Sequence, residues 1–161
     1  MDKIIAKSRP PGRLPGVSTP PLPTTPVTTD PELTERWRTL LGTDGVPTRR
    51  TLFLSWLRAD GTSVPMLIPV EDMPAEPDRQ AIDGLVRIHD VVAESEGVPA
   101  AGLHLAMCLE RRGPAGLSPE DAAWAAAVDS VVRGRDGLDC SLSVSDGRRL
   151  FSVLPRQSWS R

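Results

Sequence analysis

The chain has no tyrosine, only two phenylalanines and only two cysteines among its 161 residues. So few aromatic rings leave little for nucleobases to stack on, which argues against a single-strand nucleic-acid platform. Two cysteines, Cys108 and Cys140, cannot make a disulfide framework and fit a reducing compartment. Lysine is almost missing too: of 19 basic residues only Lys3 and Lys7 are lysines. A chain rich in Arg, Ala, Gly and Pro instead points to GC-rich coding and a bacterial source. A basic surplus is also absent. The first 30 residues hold four basic and two acidic residues, so the other 131 hold 15 and 19, a net of −4. Folded nucleic-acid binders carry a basic excess, so nucleic acid is not an expected partner.

No run approaches the roughly 20 apolar residues of a membrane span. "KIIAK" at the start is not the ~7–15-residue apolar core of a signal peptide. The expected location is the cytoplasm. No repeat, G-x-G-x-x-G, Walker loop, H-E-x-x-H or C-x-x-C occurs. The length suits one domain with some additional sequence.

Proline, by contrast, is abundant and uneven, with seven of 17 in residues 1–29. Proline blocks helices and cannot donate to a ladder. Too few large apolar groups accompany it to offset the entropy of ordering. The expectation is a disordered tail over 1–29 with polyproline II character. Pro20 and Pro23 have the PxxP spacing that SH3-like grooves bind, although a solvated tail explains the composition as well.

Order is predicted to begin at residue 30. Asp30 is a candidate cap, Pro31 suits the first turn and Gly42 the end of a short helix. Leu33, Trp37, Leu40 and Leu41 form one stripe, which either docks on the domain or offers Trp37 to a partner. "TLFLSWL" (51–57) reads as a buried strand. Asp60-Gly61 is a hairpin turn, and "SVPMLIPV" (63–70) is the return strand, pushed to an edge by Pro65 and Pro69. Residues 78–96 form a helix on the stripe Ile82, Leu85, Val86, His89 and Val92. "GLHLAMCL" (102–109) is a third strand, 118–133 a second long helix, and 138–144 with 149–154 a closing hairpin. Gln157–Arg161 is a loose tail with Trp159 as a docking candidate. The fold class is α/β: a single mixed-sheet domain over 50–155, in the order α-β-β-α-β-α-β-β, with two or three layers.

The junction "MCLERRGPAGLSPED" (107–121) carries the chemistry worth testing. Strand alternation puts His104, Ala106, Cys108 and Glu110 on one face. Asp121 lies on the inward stripe of the following helix, so Cys108, Glu110, Ser118 and Asp121 are expected to converge. Their spacing, Cys108-x-Glu110-x7-Ser118-x-x-Asp121, resembles the JAMM motif of JAB/MPN zinc peptidases, H-x-H-x7-S-x-x-D. The order of elements over about 50–154 resembles the RadC-type bacterial branch of that family. The resemblance implies a JAB/MPN fold with cytidine-deaminase-like layers. It also implies metal ligands at the first two and last motif positions, a supporting Ser118, and an upstream general base, for which Glu71 is the candidate.

Residue types depart from the motif where zinc would be held. Cys108 and Glu110 replace two histidines, so with Asp121 the ligand set carries three negative charges. Such a set acidifies a bound water less than two imidazoles and a carboxylate would. Arg111 and Arg112 are placed to pair with the carboxylates instead. Ser118-Pro119-Glu120-Asp121 is, besides, a complete helix start. A Cys–His nucleophile is excluded for Cys108 and His104, which are about 13 Å apart along a strand. Cys108, His89, His104, Trp56 and Trp124 read as core.

The expected function is therefore a non-catalytic interaction or scaffold module, with no resident cofactor and an unidentified protein partner. The candidate contacts are Pro20, Pro23, Trp37, Arg111 and Arg112. A divergent zinc-dependent hydrolase using Cys108, Glu110 and Asp121, or a DNA-associated factor of RadC-like descent, are the alternatives. Oligomeric state is not set by the sequence.

Overall fold

In the computed structural model, residues 24–42 and 49–159 are described. The elements are α1 (Asp30–Leu41), β1 (Thr51–Leu57), β2 (Ile68–Glu71), α2 (Arg79–Glu96), β3 (His104–Glu110), α3 (Pro119–Ala127), β4 (Asp139–Ser145) and β5 (Leu150–Leu154). A short 3-10 turn at Ala100–Gly102 leads into β3, and a π-helical segment, Val128–Arg135, extends α3. The five strands form one mixed sheet in the order β2-β1-β3-β4-β5. Only β3 and β4 run parallel, as strands joined by a crossover helix must.

Two apolar clusters split the molecule into three layers. One face of the sheet (Leu52, Trp56, Leu105, Met107, Leu109, Leu142 among others) packs on Ile82, Leu85 and Val92 of α2 and on Trp124, Val128 and Val132 beneath α3. The opposite face, with Leu57, Ala106 and Cys108, packs on Val27 and on Leu33 and Trp37 of α1. Small groups at Ser55, Ala106, Cys108, Ser141 and Ser143 leave room there for the Trp37 ring, which is 1% exposed. Trp37 is thus part of the interior, and its expected alternative role as a partner contact is corrected. Burying a stripe of this kind, rather than helix propensity, is what holds a 12-residue helix in place.

Order also begins before residue 30. Val27 is buried, and its N–H donates to the Gly61 carbonyl at 2.9 Å. Gly61 has φ +87°, and a Cβ there would lie 2.7 Å from the Val27 carbonyl oxygen. Glycine therefore serves both the turn and the docked segment beside it. The expected disordered tail is in this respect shorter at its C-terminal end, while Pro20 and Pro23 lie outside the described residues. Thr29, not Asp30, caps α1, its hydroxyl accepting from the Glu32 N–H at 3.2 Å.

The return strand is shorter than expected. Ser63 makes a single bridge to Leu57, Pro65 interrupts pairing, and β2 resumes only at Ile68. As expected of a strand carrying proline, it lies at an edge. In the main core, the Trp56 indole N–H donates to His89 Nδ1 at 3.2 Å, and His89 Nε2–H in turn faces the Ala100 carbonyl at 2.8 Å. Both side chains are completely buried, and each has its polar atoms matched.

Candidate functional site

The 107–121 junction is built around an arginine. Arg111 follows β3 directly, is 2% exposed, and pairs with Asp121 at the start of α3. Its Nε donates to Asp121 Oδ1 at 2.9 Å, and one terminal nitrogen reaches Asp121 Oδ2. The remaining donors go to the carbonyls of Arg112 (3.0 Å), Pro114 (2.8 Å) and Gly116 (2.7 Å). One guanidinium thereby ties the loop to both the strand and the helix, a task suited to its fork of five donors. Ser118 and Asp121 complete a capping box: the Asp121 N–H donates to Ser118 Oγ at 3.1 Å, and the Ser118 N–H to Asp121 Oδ2 at 3.0 Å. Burial by itself would raise the Asp121 carboxyl. Arg111 and the Ser118 donors outweigh it and hold the group below the usual carboxylate range.

Asp146, in the β4–β5 turn, braces the same loop. Its carboxylate accepts from the Gly116 N–H (2.6 Å) and from the N–H groups of Arg148 and Arg149 (both 2.8 Å). Burial again opposes ionisation, yet these backbone donors and the nearby Arg111 lower the carboxyl to about 2.

The expected convergence of Cys108, Glu110, Ser118 and Asp121 is limited to Ser118 and Asp121, which meet in the capping box. Trp124 and Val128, the buried groups of the α3 arm, pack on the leucine face of β3. Cys108 belongs to the opposite cluster, beneath α1. Alternation puts Glu110 on that side as well. Among the described residues no group of three or more His, Cys, Asp and Glu side chains is gathered as a metal ion would need. Cys108 is completely buried, and burial first, then Glu110, pushes its thiol far up, away from the thiolate a metal takes. Glu110 is raised by burial. Glu71 is in the same sheet row, since Thr51 pairs with Glu71 on one side and Glu110 on the other. Two strand spacings separate them, about 10 Å. Glu71 is paired to Arg49 at 3.4 Å. Arg112 is exposed at the loop surface.

A second constellation escapes a linear reading. His104 on β3 stands beside Asp139 on β4, with Ser141 two residues further on the same face. His104 Nε2 lies 2.9 Å from Ser141 Oγ, and Nδ1 lies 3.2 Å from Asp139 Oδ2, off the line of a hydrogen bond. Burial pushes the imidazole below its usual range, against the pull of Asp139, so the ring is neutral near pH 7. The order serine–histidine–aspartate is that of an activated nucleophile. Its placement is not. Ser141 is 3% exposed in mid-strand and does not line the neighbouring cavity, so no substrate carbonyl can approach its hydroxyl. The sequence did contain a signal. Asp139, Ser141, Ser143 and Ser145 alternate with Cys140, Leu142 and Val144, which marks one polar face on an interior strand.

The cavity beside His104 has a volume of about 380 Å³. It opens between the docked 27–28 segment, the 59–61 turn, residues 101–103 and the C-terminal segment. Arg156 pairs with Asp139 through Nε (2.9 Å) and a terminal nitrogen (2.7 Å), and its guanidinium carbon lies 4.7 Å from the centre of the Trp159 ring. Trp159 itself donates its indole N–H to Asp30 Oδ1 at 2.8 Å. The expected loose tail is thus clasped across the sheet to α1 at least as far as Trp159.

Comparison of the chain with protein-family models, with curated proteins and with solved structures finds no match.

Proposed function

We propose that this chain is a non-catalytic interaction module related to the JAB/MPN domains, in which a fixed guanidinium has taken over the place of a metal. The observation that carries the reading is the buried Arg111–Asp121 pair. Asp121 stands at the aspartate position of the motif, and both of its oxygens are already bonded to Arg111. A cation from the chain itself neutralises the carboxylate and fixes the loop. A zinc ion at Asp121 would have to displace it and leave a buried guanidinium unpaired, which is costly. Ser118 is likewise committed to capping α3. Scaffolding without chemistry is compatible with a loop held this tightly, and the partner is expected to be a protein rather than a nucleic acid, given the acidic balance of the domain.

Metal content tests this directly. Protein purified without a histidine tag should hold zinc far below one equivalent by mass spectrometry of the metal. Zinc near one equivalent, lost in Cys108→Ala, would overturn the proposal in favour of a divergent hydrolase. Partner capture should compare the full chain with one starting at residue 24, since Val27, Leu33 and Trp37 belong to the folded body. A protein retained by the full chain and released by the shorter one assigns the contact to the proline-rich segment.

A further inference from the structure

The cavity beside His104 lies on the far side of the sheet from α3 and apart from the Arg111 loop. We propose that it binds a guanidinium-bearing ligand, an arginine side chain or a small arginine-like molecule.

The chain already displays the recognition it would use. Arg156 sits against the Asp139 carboxylate and over the Trp159 ring, which is how a flat, weakly hydrated cation is held: hydrogen bonds at its edge and an aromatic face below. The cavity is lined by these same groups, with Asp60 as a second carboxylate. Its volume, about 380 Å³, falls within the range of small-molecule sites. Asp60 and Asp139 line it against a single arginine, with His104 neutral, so the balance is negative. Acceptors remain on both acids. Asp60 uses Oδ1 for the Thr62 N–H and hydroxyl, at 2.9 and 2.6 Å, and Oδ2 makes no hydrogen bond to another described residue, although Arg58 also acts on the carboxylate. The contacts of Arg156 and His104 with Asp139 all fall on Oδ2, which leaves Oδ1 to accept. Val27, Leu57 and Leu103 supply apolar wall for an aliphatic stem. Asp60 stays ionised, because hydrogen bonds from Thr62 hold its carboxyl below the usual range. Two carboxylates, the Trp159 indole and apolar walls select a cation that is flat and carries several donors. An anion would meet the ionised Asp60 carboxylate.

Titration of the full chain followed by amide and indole NMR tests this. N-acetyl-arginine methylamide should shift the Gly61 and Gly102 amides and the Trp159 indole saturably, the last assigned with Trp159→Phe. The citrulline counterpart, equal in shape but uncharged, should leave them in place. Asp60→Asn alters an exposed side chain, so the fold is retained, and affinity should fall about tenfold or more. Free arginine and a capped Gly-Arg-Gly peptide separate the sources: peptide binding points to an arginine in a protein segment, binding of the free amino acid alone to a metabolite. No saturable shift up to about 20 mM at matched ionic strength, weaker than any useful millimolar site, would overturn the proposal. Equal binding of the citrulline compound, or an unchanged affinity in Asp60→Asn, would do the same.

Discussion

At the scale of single residues, the decisive group is Arg111. Most ion pairs among the described residues are exposed on at least one side, but here the pair is nearly sealed, with side-chain exposures of 2% and 0%. Exposed pairs contribute little because water and salt screen them, whereas a sealed pair is costly to break from one side. Arg111→Met should destabilise the domain by about 3–5 kcal/mol, because Asp121 is then left charged and buried. Arg111→Met combined with Asp121→Leu should recover a large part of that loss. Urea unfolding of the two single variants and the double variant measures the coupling, and additive losses would refute a shared pair. Asp146 makes a second residue-level prediction, with a defined pH window. Its carboxyl ionises near 2 in the folded protein, against an ordinary 3.8. A depressed folded value means that the stabilisation is present above the unfolded value and is lost as pH falls through the folded one. Asp146→Asn should therefore cost about 1–3 kcal/mol at neutral pH, the usual loss for charge-assisted hydrogen bonds. The gap to the parent should close between roughly pH 4 and pH 2, as thermal melts over that range will record.

At the scale of elements, α1 and the segment before it behave as one docked unit. Val27, Leu33 and Trp37 share a cluster with Ala106 and Cys108 of the central strand. Arg36 strengthens the joint from beneath, with one terminal nitrogen 2.6 Å from the Ser63 hydroxyl and the other on the Thr25 carbonyl. Removing residues 1–23 should leave the melting temperature within a degree or two, because Thr25, Val27, Leu33 and Trp37, which dock α1 on the sheet, are all kept. Removing 1–42 uncovers a whole face of the sheet and should abolish cooperative unfolding or drive aggregation. Trp37→Ala offers the milder version, with an expected loss of about 3–5 kcal/mol for truncating a buried tryptophan. Calorimetry distinguishes these outcomes, and an unaffected 43–161 fragment would mean that α1 is an accessory rather than a layer. The strand–helix junction is also an element-scale object. Its capping box is local and readable in "SPED", yet the carboxylate that completes the box belongs equally to Arg111.

At the scale of the whole molecule, the sheet separates two unlike regions. The α2–α3 side is an apolar core with one matched Trp56–His89 pair. The α1 side combines small polar groups, a buried histidine and a clasped C-terminal segment, and it holds the cavity beside His104. Among the described residues no helix is long and apolar enough to cross a membrane. The proposed scaffold and the proposed cation cleft occupy different faces and can fail separately. Metal analysis addresses the first and NMR titration the second.

The sequence by itself determined the class of fold and most of the core. Short apolar runs identified β1 and β3, and period-3.6 stripes identified α1 and α2, because burial imposes those patterns whatever the neighbours. Proline forecast an edge strand, and "SPED" forecast a helix start, because both are local steric or hydrogen-bonding facts. The candidate site was legible only in part. Spacing alone suggested that Cys108, Glu110 and Asp121 meet, but a one-residue alternation sends Cys108 beneath α1 while α3 packs on the other face. Only tertiary structure decides which helix covers which face of a strand. It alone also selected Arg111 over Arg112 as the partner of Asp121, and set His104 beside Asp139 and Ser141. Those contacts join residues ten to 37 positions apart, and the His104 contacts depend on the register of the parallel pairing of β3 with β4, which no local pattern encodes.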